Sequence, residues 1–177
     1  SLSILKNAAS KKLDPKSDQA KAVNVFKTYM DTVSRNKLGI KPILKNLAKI
    51  NAIKTLDDLN KLTIESTPED GLGFYSMYIG TDAKNSNRNI VNVTLGSLGL
   101  PDRDYYVSDE ADSKEKREKY VLHVAKMLQF LGEKPQQAAE NAKKVLNLEI
   151  KMAQPRLDRV DRRVRRKTNN MMSVSEL

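Results

Sequence analysis

Two stretches of sequence decide the fold, Gly80-Thr81-Asp82-Ala83-Lys84-Asn85-Ser86 and Leu98-Gly99-Leu100-Pro101-Asp102-Arg103-Asp104-Tyr105-Tyr106. Neither has the 3.6-residue periodicity of an amphipathic helix or the alternation of an exposed strand. Both are rich in loop-building residues, because glycine allows positive φ, proline fixes φ, and aspartate and asparagine bind nearby backbone. We therefore predict two structural motif loops, formed by Gly80, Asp82, Lys84, Asn85 and Ser86 and by Leu98, Gly99, Leu100, Pro101, Arg103, Asp104, Tyr105 and Tyr106.

The segments on either side of the first loop have strand character. Phe74–Ile79 and Asn89–Thr94 are rich in the β-branched and aromatic residues that favour extended backbone. The loop from Gly80 to Arg88 joins them, so we expect an antiparallel hairpin. Three loop side chains are expected to bond the connecting backbone, namely Asp82, Asn85 and Ser86.

The rest of the chain has helical periodicity. Helix starts are predicted where a capping residue or a proline precedes an apolar-periodic run, at Asp14-Pro15, Pro42, Thr55, Ser113 and Pro135. Glycines are predicted to end helices at Gly39 and Gly132. Residues predicted to face inward are Ile43, Leu44, Leu47, Ile50, Ala138, Ala142, Val145, Leu146, Leu148 and Ile150. The expected fold class is mainly α, a helical lobe with a small antiparallel β-hairpin.

The composition bounds the classes of protein that the chain can represent. Its 177 residues suffice for one domain with its own core, or slightly more. No apolar run approaches the roughly 20 residues of a membrane span, and Ser1–Lys6 is expected to be helical rather than part of a signal peptide. The chain has no cysteine, which excludes disulfides and cysteine-ligated metal sites.

Basic residues are concentrated near the C-terminal end. The chain carries 32 Lys and Arg against 22 Asp and Glu, and eight of these cations fall between Lys151 and Lys167, beside only Asp158 and Asp161. One hypothesis is a stand-alone basic helical module that binds nucleic acid or anionic surfaces through residues 156–167. The other is a connecting segment whose arginines pair with carboxylates elsewhere in a larger protein. Because the run lacks aromatic residues and any RNA-binding signature, the second hypothesis is favoured.

The sequence offers no self-sufficient catalytic site. Its one histidine, His123, has no second histidine at the spacing of a zinc-binding helix. The carboxylates between 102 and 112 do not fit a calcium loop; Arg103 and Asp104 are instead expected to bond loop backbone, and Asp109–Asp112 to favour the next helix N-terminus. We therefore predict no catalytic residue and no metal ligand in this chain.

The last residues of the sequence indicate a boundary. Ser173 and Glu176 have the spacing of a capping box, which normally opens a helix. The sequence stops at Leu177, so the predicted helix has no body. The interpretation is that residues 1–177 are cut from a longer polypeptide and expose apolar surface that the longer protein buries.

Several motifs follow one another in the order of a known family. The two motif loops resemble G-x-D-x-K-N-S and L-G-L-P-x-R-D-Y-Y, and four further segments add to the match: Phe26–Asp31, Leu38–Leu44, Tyr120–Leu128 and Val145–Glu149. Together they resemble the non-catalytic N-terminal region of the neprilysin and endothelin-converting-enzyme family of zinc endopeptidases, which includes the bacterial oligoendopeptidase O type. Two features depart from the family pattern: Asn169–Ser173 lacks its tyrosine, and the arginine-rich run is heavier.

The resemblance implies that residues 1–177 belong to a helical lobe covering the catalytic lobe of the same polypeptide. The enclosed cavity is implied to admit short peptides and exclude folded proteins. Zinc is implied for the full-length parent, with none bound by this fragment, and the motif loops are implied to be structural. The implied partners are the catalytic lobe and short peptide substrates, with no nucleic acid and no transmembrane segment in the fragment. The implied location is extracytoplasmic, in a bacterial periplasm or cell envelope, or secreted.

Overall fold

The structure is a computed structural model that describes residues 2–67 and 74–176. Its helices are Leu2–Ala9 (α1), Asp18–Met30 (α2), Thr32–Leu38 (α3), Leu44–Asn51 (α4), Leu56–Ser66 (α5), Asp104–Val107 (α6), Ala111–Phe130 (α7), Pro135–Ala153 (α8) and Arg165–Thr168 (α9). Two strands, Tyr75–Asp82 (β1) and Asn85–Leu95 (β2), form an antiparallel hairpin, and 3₁₀ turns lie at Lys41–Ile43, Asp161–Arg163 and Val174–Glu176. The predicted fold class is confirmed. Residues 1–48 and 49–177 form two compact units.

In the first unit, α2 begins later than the sequence predicts. Its N-cap is Ser17, whose Oγ accepts a hydrogen bond from the Ala20 N–H at 3.2 Å. Asp14, the predicted cap, instead closes the preceding turn, because its Oδ1 accepts from the Lys16 N–H at 3.0 Å. Helix α1 packs against α2, which buries Ala20 and Val23.

The helix predicted to run on to Gly39 is broken at Asp31. The Asp31 carboxylate accepts the Ser34 N–H at 2.9 Å and thereby caps a new helix, α3. Hydrogen bonds from Ser34 also lower the pKa of Asp31. The predicted stop is confirmed, because Gly39 has φ +54° and its N–H bonds the Arg35 carbonyl at the end of α3.

Helices α4 and α5 begin where the sequence places them. Pro42 lies in the 3₁₀ turn before α4, and Thr55 forms a complete capping box with Asp58. The inward-facing prediction for the α4 segment is wrong for three residues, which are between 42% and 49% exposed: Ile43, Leu44 and Ile50. Leu47 is half-buried.

In the second unit, α7 packs against α8. The N-cap of α7 is Glu110, so the predicted cap Ser113 is wrong; Ser113 lies buried inside the first turn. Gly132 ends α7 as predicted, with φ +102°, while the Glu133 N–H returns to the Leu128 carbonyl at 3.2 Å. Pro135 is the first residue of α8, also as predicted.

The core of this helix pair is made largely of small side chains. Ala138, Ala142 and Ala153 on α8 are fully buried, which confirms the prediction for the first two. Three further predicted residues are half-buried, namely Val145, Leu146 and Ile150. Leu148 is 52% exposed, so that prediction is wrong; it lies on the helix face that the neighbouring elements leave uncovered.

The hairpin is confirmed, with a tighter turn than predicted. Tyr75 pairs with Leu95 at one end of the ladder and Thr81 pairs with Asn89 near the other, before an irregularity at Asp82. The connection is the dipeptide Ala83-Lys84 rather than a loop from Gly80 to Arg88, because the strands continue through most of the first motif loop.

Asp82 holds this turn together. Its Oδ1 accepts the Lys84 N–H at 2.8 Å and its Oδ2 accepts from the guanidinium of Arg88. The side chain is almost fully buried, and these two bonds, the one from Lys84 first, hold the pKa of Asp82 below its ordinary value. Asn85 Oδ1 likewise accepts the Asn87 N–H at 3.1 Å. Within the described chain Ser86 makes no such bond, so that part of the prediction is wrong.

At the C-terminal end, half of the predicted capping box forms. The Glu176 carboxylate accepts from the Ser173 N–H at 2.7 Å, which lowers the pKa of Glu176. Ser173 Oγ donates to the same carboxylate instead of accepting a backbone N–H. The segment is accordingly a single 3₁₀ turn.

Replacing Asp82 by asparagine should lower the melting temperature at pH 7, because an amide binds Arg88 more weakly than a carboxylate does. Since the native pKa of Asp82 lies below the unfolded value of about 3.9, the charge contributes stability above that value and loses it as pH falls through the native pKa. Thermal melts followed by circular dichroism at pH 7 and near pH 2 should therefore show the Asp82→Asn difference shrinking in acid. Asp109→Asn, at an exposed carboxylate, is the matched control and should change little at either pH. An Asp82→Asn difference of equal size at both pH values contradicts the prediction.

Candidate functional site

The described residues do not assemble a metal centre. Within 2–67 and 74–176, no group of three or more His, Cys, Asp or Glu side chains is placed to hold a metal ion. His123 lies on the exposed side of α7. The second motif loop instead converges on one carboxylate, Glu149, and we call Gly99, Leu100, Tyr106, Tyr120 and Glu149 the Glu149 cluster.

Glu149 bonds the second motif loop from the side of α8. Its Oε1 accepts the Gly99 N–H at 2.9 Å, and its Oε2 accepts the Tyr106 hydroxyl at 3.0 Å. The same hydroxyl accepts the Leu100 N–H at 2.6 Å. Two successive backbone N–H groups of the loop are thus satisfied by side chains that lie 50 and 6 residues away in sequence, which fixes the loop between β2 and α6.

The two tyrosines of the Glu149 cluster are neutral phenols. Tyr106 is 3% exposed, and burial, reinforced by the Glu149 carboxylate, raises the pKa of Tyr106 to about 12. Burial and then the same carboxylate raise the pKa of Tyr120 as well. Both phenols therefore stay protonated at neutral pH.

Gly99 leaves no space for a larger residue. A Cβ at this position would lie 2.8 Å from Cε2 and 2.5 Å from Cζ of Tyr120, and closer still to the hydroxyl. The ring of Tyr120 therefore rests directly on the loop backbone. The glycine is required for this close approach and not for its backbone conformation, since only Gly39 and Gly132 have positive φ among the described glycines.

A second anchor holds the end of the motif loop. Arg117 of α7 donates from Nη1 to the carbonyls of Tyr105 and Ser108, at 2.6 and 3.0 Å. The predicted backbone bonds from Arg103 and Asp104 are absent from the described chain, because these side chains pair with each other at 3.5 Å. The guanidinium of Arg117 therefore makes the hydrogen bonds to loop backbone that the sequence analysis expected from Arg103 and Asp104.

The arginine-rich segment is partly used within the chain. Arg156 donates from Nε to the Met152 carbonyl and from Nη2 to the Gly96 carbonyl, at 3.2 and 2.8 Å. Arg162 Nη2 donates to Asp102 Oδ2 at 2.9 Å. The segment thereby packs beside the second motif loop, with a cleft of about 610 Å³ between them.

The structure separates the predicted site residues into three groups. Gly99, Leu100 and Tyr106 enter the Glu149 cluster, while Leu98, Pro101 and Arg103 line the cleft, which Leu100 also lines. No hydrogen bond in the described chain links the hairpin turn to either group. Sequence reasoning missed four anchoring residues: Arg117, Tyr120, Glu149 and Arg156. A signal existed for Glu149, a lone carboxylate between Leu148 and Ile150 in an apolar stretch, but none for Arg117.

The chain is similar to known proteins over almost its whole length. The model of peptidase family M13, N-terminal region, matches residues 2–177. Endothelin-converting enzyme 1 of Cavia porcellus is 24% identical over 166 residues, which cover 90% of this chain and 22% of the relative. The chain thus spans about a fifth of that relative's length.

Two solved structures share the fold. The zinc metalloprotease Zmp1 of Mycobacterium tuberculosis in its open state superposes with a TM-score of 0.77 at 24% identity, over 98% of this chain and 27% of that one. PepO from Lactobacillus rhamnosis gives 0.68 at 20% identity, over 90% and 25%. Because the family model extends over almost every residue, the chain belongs to peptidase family M13, matching the N-terminal region of that family.

Proposed function

We propose that the chain is the N-terminal lobe, or part of it, of a zinc-dependent metalloendopeptidase. The observation that carries this proposal is the family match over residues 2–177. The chain's own residues do not fit a zinc site, since it has one histidine and no cysteine and its described residues hold no ligand cluster. Its contribution is therefore steric: covering the catalytic lobe of the same polypeptide and restricting substrates to short peptides.

An uncovered apolar surface supports the packing role. The ladder register places six apolar side chains on one face of the hairpin: Tyr75, Met77, Ile79, Val91, Val93 and Leu95. They are between 42% and 76% exposed. Clustered apolar exposure of this kind marks an interaction surface more often than a solvated one. We assign this hairpin face to contact with the rest of the polypeptide.

The two motif loops have a structural role in this proposal. The Glu149 cluster fixes the loop that connects the hairpin to α6, α7 and α8, so it sets where the hairpin face is presented. No described helix is both long and apolar enough to cross a membrane. An extracytoplasmic location is proposed from the family resemblance.

The isolated chain should bind no stoichiometric zinc and cleave no peptide, because no three ligands of a catalytic zinc come together among the described residues. Metal content by mass spectrometry and cleavage of a fluorogenic peptide, with and without a chelator, measure both. A longer polypeptide that continues past residue 177 and includes the catalytic lobe is the positive control and should show chelator-sensitive cleavage. One equivalent of zinc with chelator-sensitive activity in the isolated chain contradicts the assignment.

Gly99→Ala should destabilise the chain by about 1–3 kcal/mol, the usual cost of overpacking, because the new methyl group meets the Tyr120 ring. The same substitution in a Tyr120→Ala background should cost much less, since the obstructing ring is gone. Urea unfolding of the four proteins of this double-mutant cycle gives the coupling free energy. Equal costs in both backgrounds would show that the ring is not what excludes a side chain at residue 99.

Replacing both Ile79 and Val91 by threonine should weaken self-association of the isolated chain roughly tenfold, since about 1.4 kcal/mol of apolar contact is removed. Sedimentation equilibrium measures this change. Val160→Thr is the control, at an exposed valine outside the hairpin. In the longer polypeptide the double substitution should lower thermal stability. A monomeric wild-type chain together with an unaffected longer protein would remove the hairpin face from the proposed interface.

A further inference from the structure

The cleft beside the second motif loop is built by two segments that are distant in sequence. One wall comes from residues 94–103 and the other from residues 156–170. The bond from Arg156 to the Gly96 carbonyl and the pair between Arg162 and Asp102 each join positions 60 residues apart. Its volume of about 610 Å³ lies within the range of about 300–1,000 Å³ that small-molecule sites occupy.

One cation at this cleft has no counter-charge in the described chain. Four cationic side chains and one carboxylate line the cleft: Arg103, Arg156, Arg162, Lys167 and Asp102. Three of the cations already have a carboxylate partner, since Arg103 pairs with Asp104, Arg162 with Asp102 and Lys167 with Asp161. Arg156 is half-buried, and its acceptors are two neutral carbonyls. No carboxylate of the described chain forms an ion pair with it. A partly desolvated guanidinium without a counter-charge favours an anion beside it.

Two neighbouring cations keep unused donors. Arg103 pairs with Asp104 at 3.5 Å, yet its buried Nε has no partner. Arg162 uses Nη2 on Asp102, and its side chain is 55% exposed at the cleft. Guanidinium groups present five N–H donors in a planar fork that matches carboxylate and phosphate oxygens. The cleft therefore offers several donors for one oxyanion.

The rest of the cleft lining is partly apolar, and this restricts the chemical class of ligand that the cleft can bind. Five apolar side chains share the cleft with the cations: Leu95, Leu98, Leu100, Pro101 and Leu157. A bare inorganic ion would leave these side chains uncovered, whereas an apolar group attached to the anion would bury them. We propose that this cleft binds a small organic oxyanion, with its carboxylate or phosphate head at Arg156 and Arg162 and its apolar body against the leucines. The site shares Leu95 with the hairpin face, but the proposal does not rest on the covering role.

The test titrates the 177-residue chain with phenyl phosphate, benzoate and inorganic phosphate by calorimetry, at constant ionic strength set with NaCl. We expect saturable one-to-one binding of at least one of the two aromatic anions, tighter than inorganic phosphate. A preference for phenyl phosphate identifies a phosphate head, and a preference for benzoate a carboxylate head.

Two variants and a control locate the site. Arg162→Gln and, separately, Arg156→Gln should each raise the dissociation constant at least about fivefold, the effect of losing one charged contact of roughly 1 kcal/mol. Using both keeps the test valid if the loss of the Asp102 pair unfolds the first. Arg166→Gln removes the same charge from an exposed residue that does not line the cleft, and should leave binding within twofold. Absent or non-saturable binding, or equal weakening by Arg166→Gln, overturns the proposal in favour of diffuse surface charge.

Discussion

The second unit depends on one partly buried carboxylate. One oxygen of Glu149 accepts the Gly99 N–H and the other accepts the Tyr106 hydroxyl. The Tyr106 hydroxyl in turn accepts the Leu100 N–H. A buried charge is costly unless its lone pairs are occupied, and here each oxygen has a donor. Because those donors belong to the loop, the loop must adopt one conformation to satisfy the helix.

This constraint limits the size of the side chain that the loop can carry at residue 99. The Tyr120 ring lies where a Cβ on residue 99 would stand, so backbone, ring and carboxylate occupy one packed volume. Arg117 then fixes the other end of the loop through the Tyr105 and Ser108 carbonyls. The path of the chain from β2 into α6 is thus set by polar anchors on α7 and α8 rather than by a large apolar core.

Sequence reasoning found the elements more reliably than their contacts. Gly39, Gly132 and Pro135 act as predicted because helix ends are decided by local backbone geometry. Asp14 and Ser113 were misplaced because several nearby residues can cap a helix, and packing chooses among them. Arg117 and Arg156 were missed because their partners are carbonyl oxygens, which every residue carries and no sequence pattern marks.

The distribution of buried and exposed side chains explains why polar anchors, rather than a large apolar core, define the geometry of the second unit. The fully buried side chains of α8 are alanines, whereas Leu148 and the apolar side chains of the hairpin face are exposed. Small side chains bring helices close but remove little apolar area from water. A chain with this distribution gains geometric definition from hydrogen bonds such as those of Glu149 and leaves many large apolar side chains exposed. Burial of these side chains against a partner surface would add hydrophobic stabilisation, and this is the contact that the proposed covering role requires.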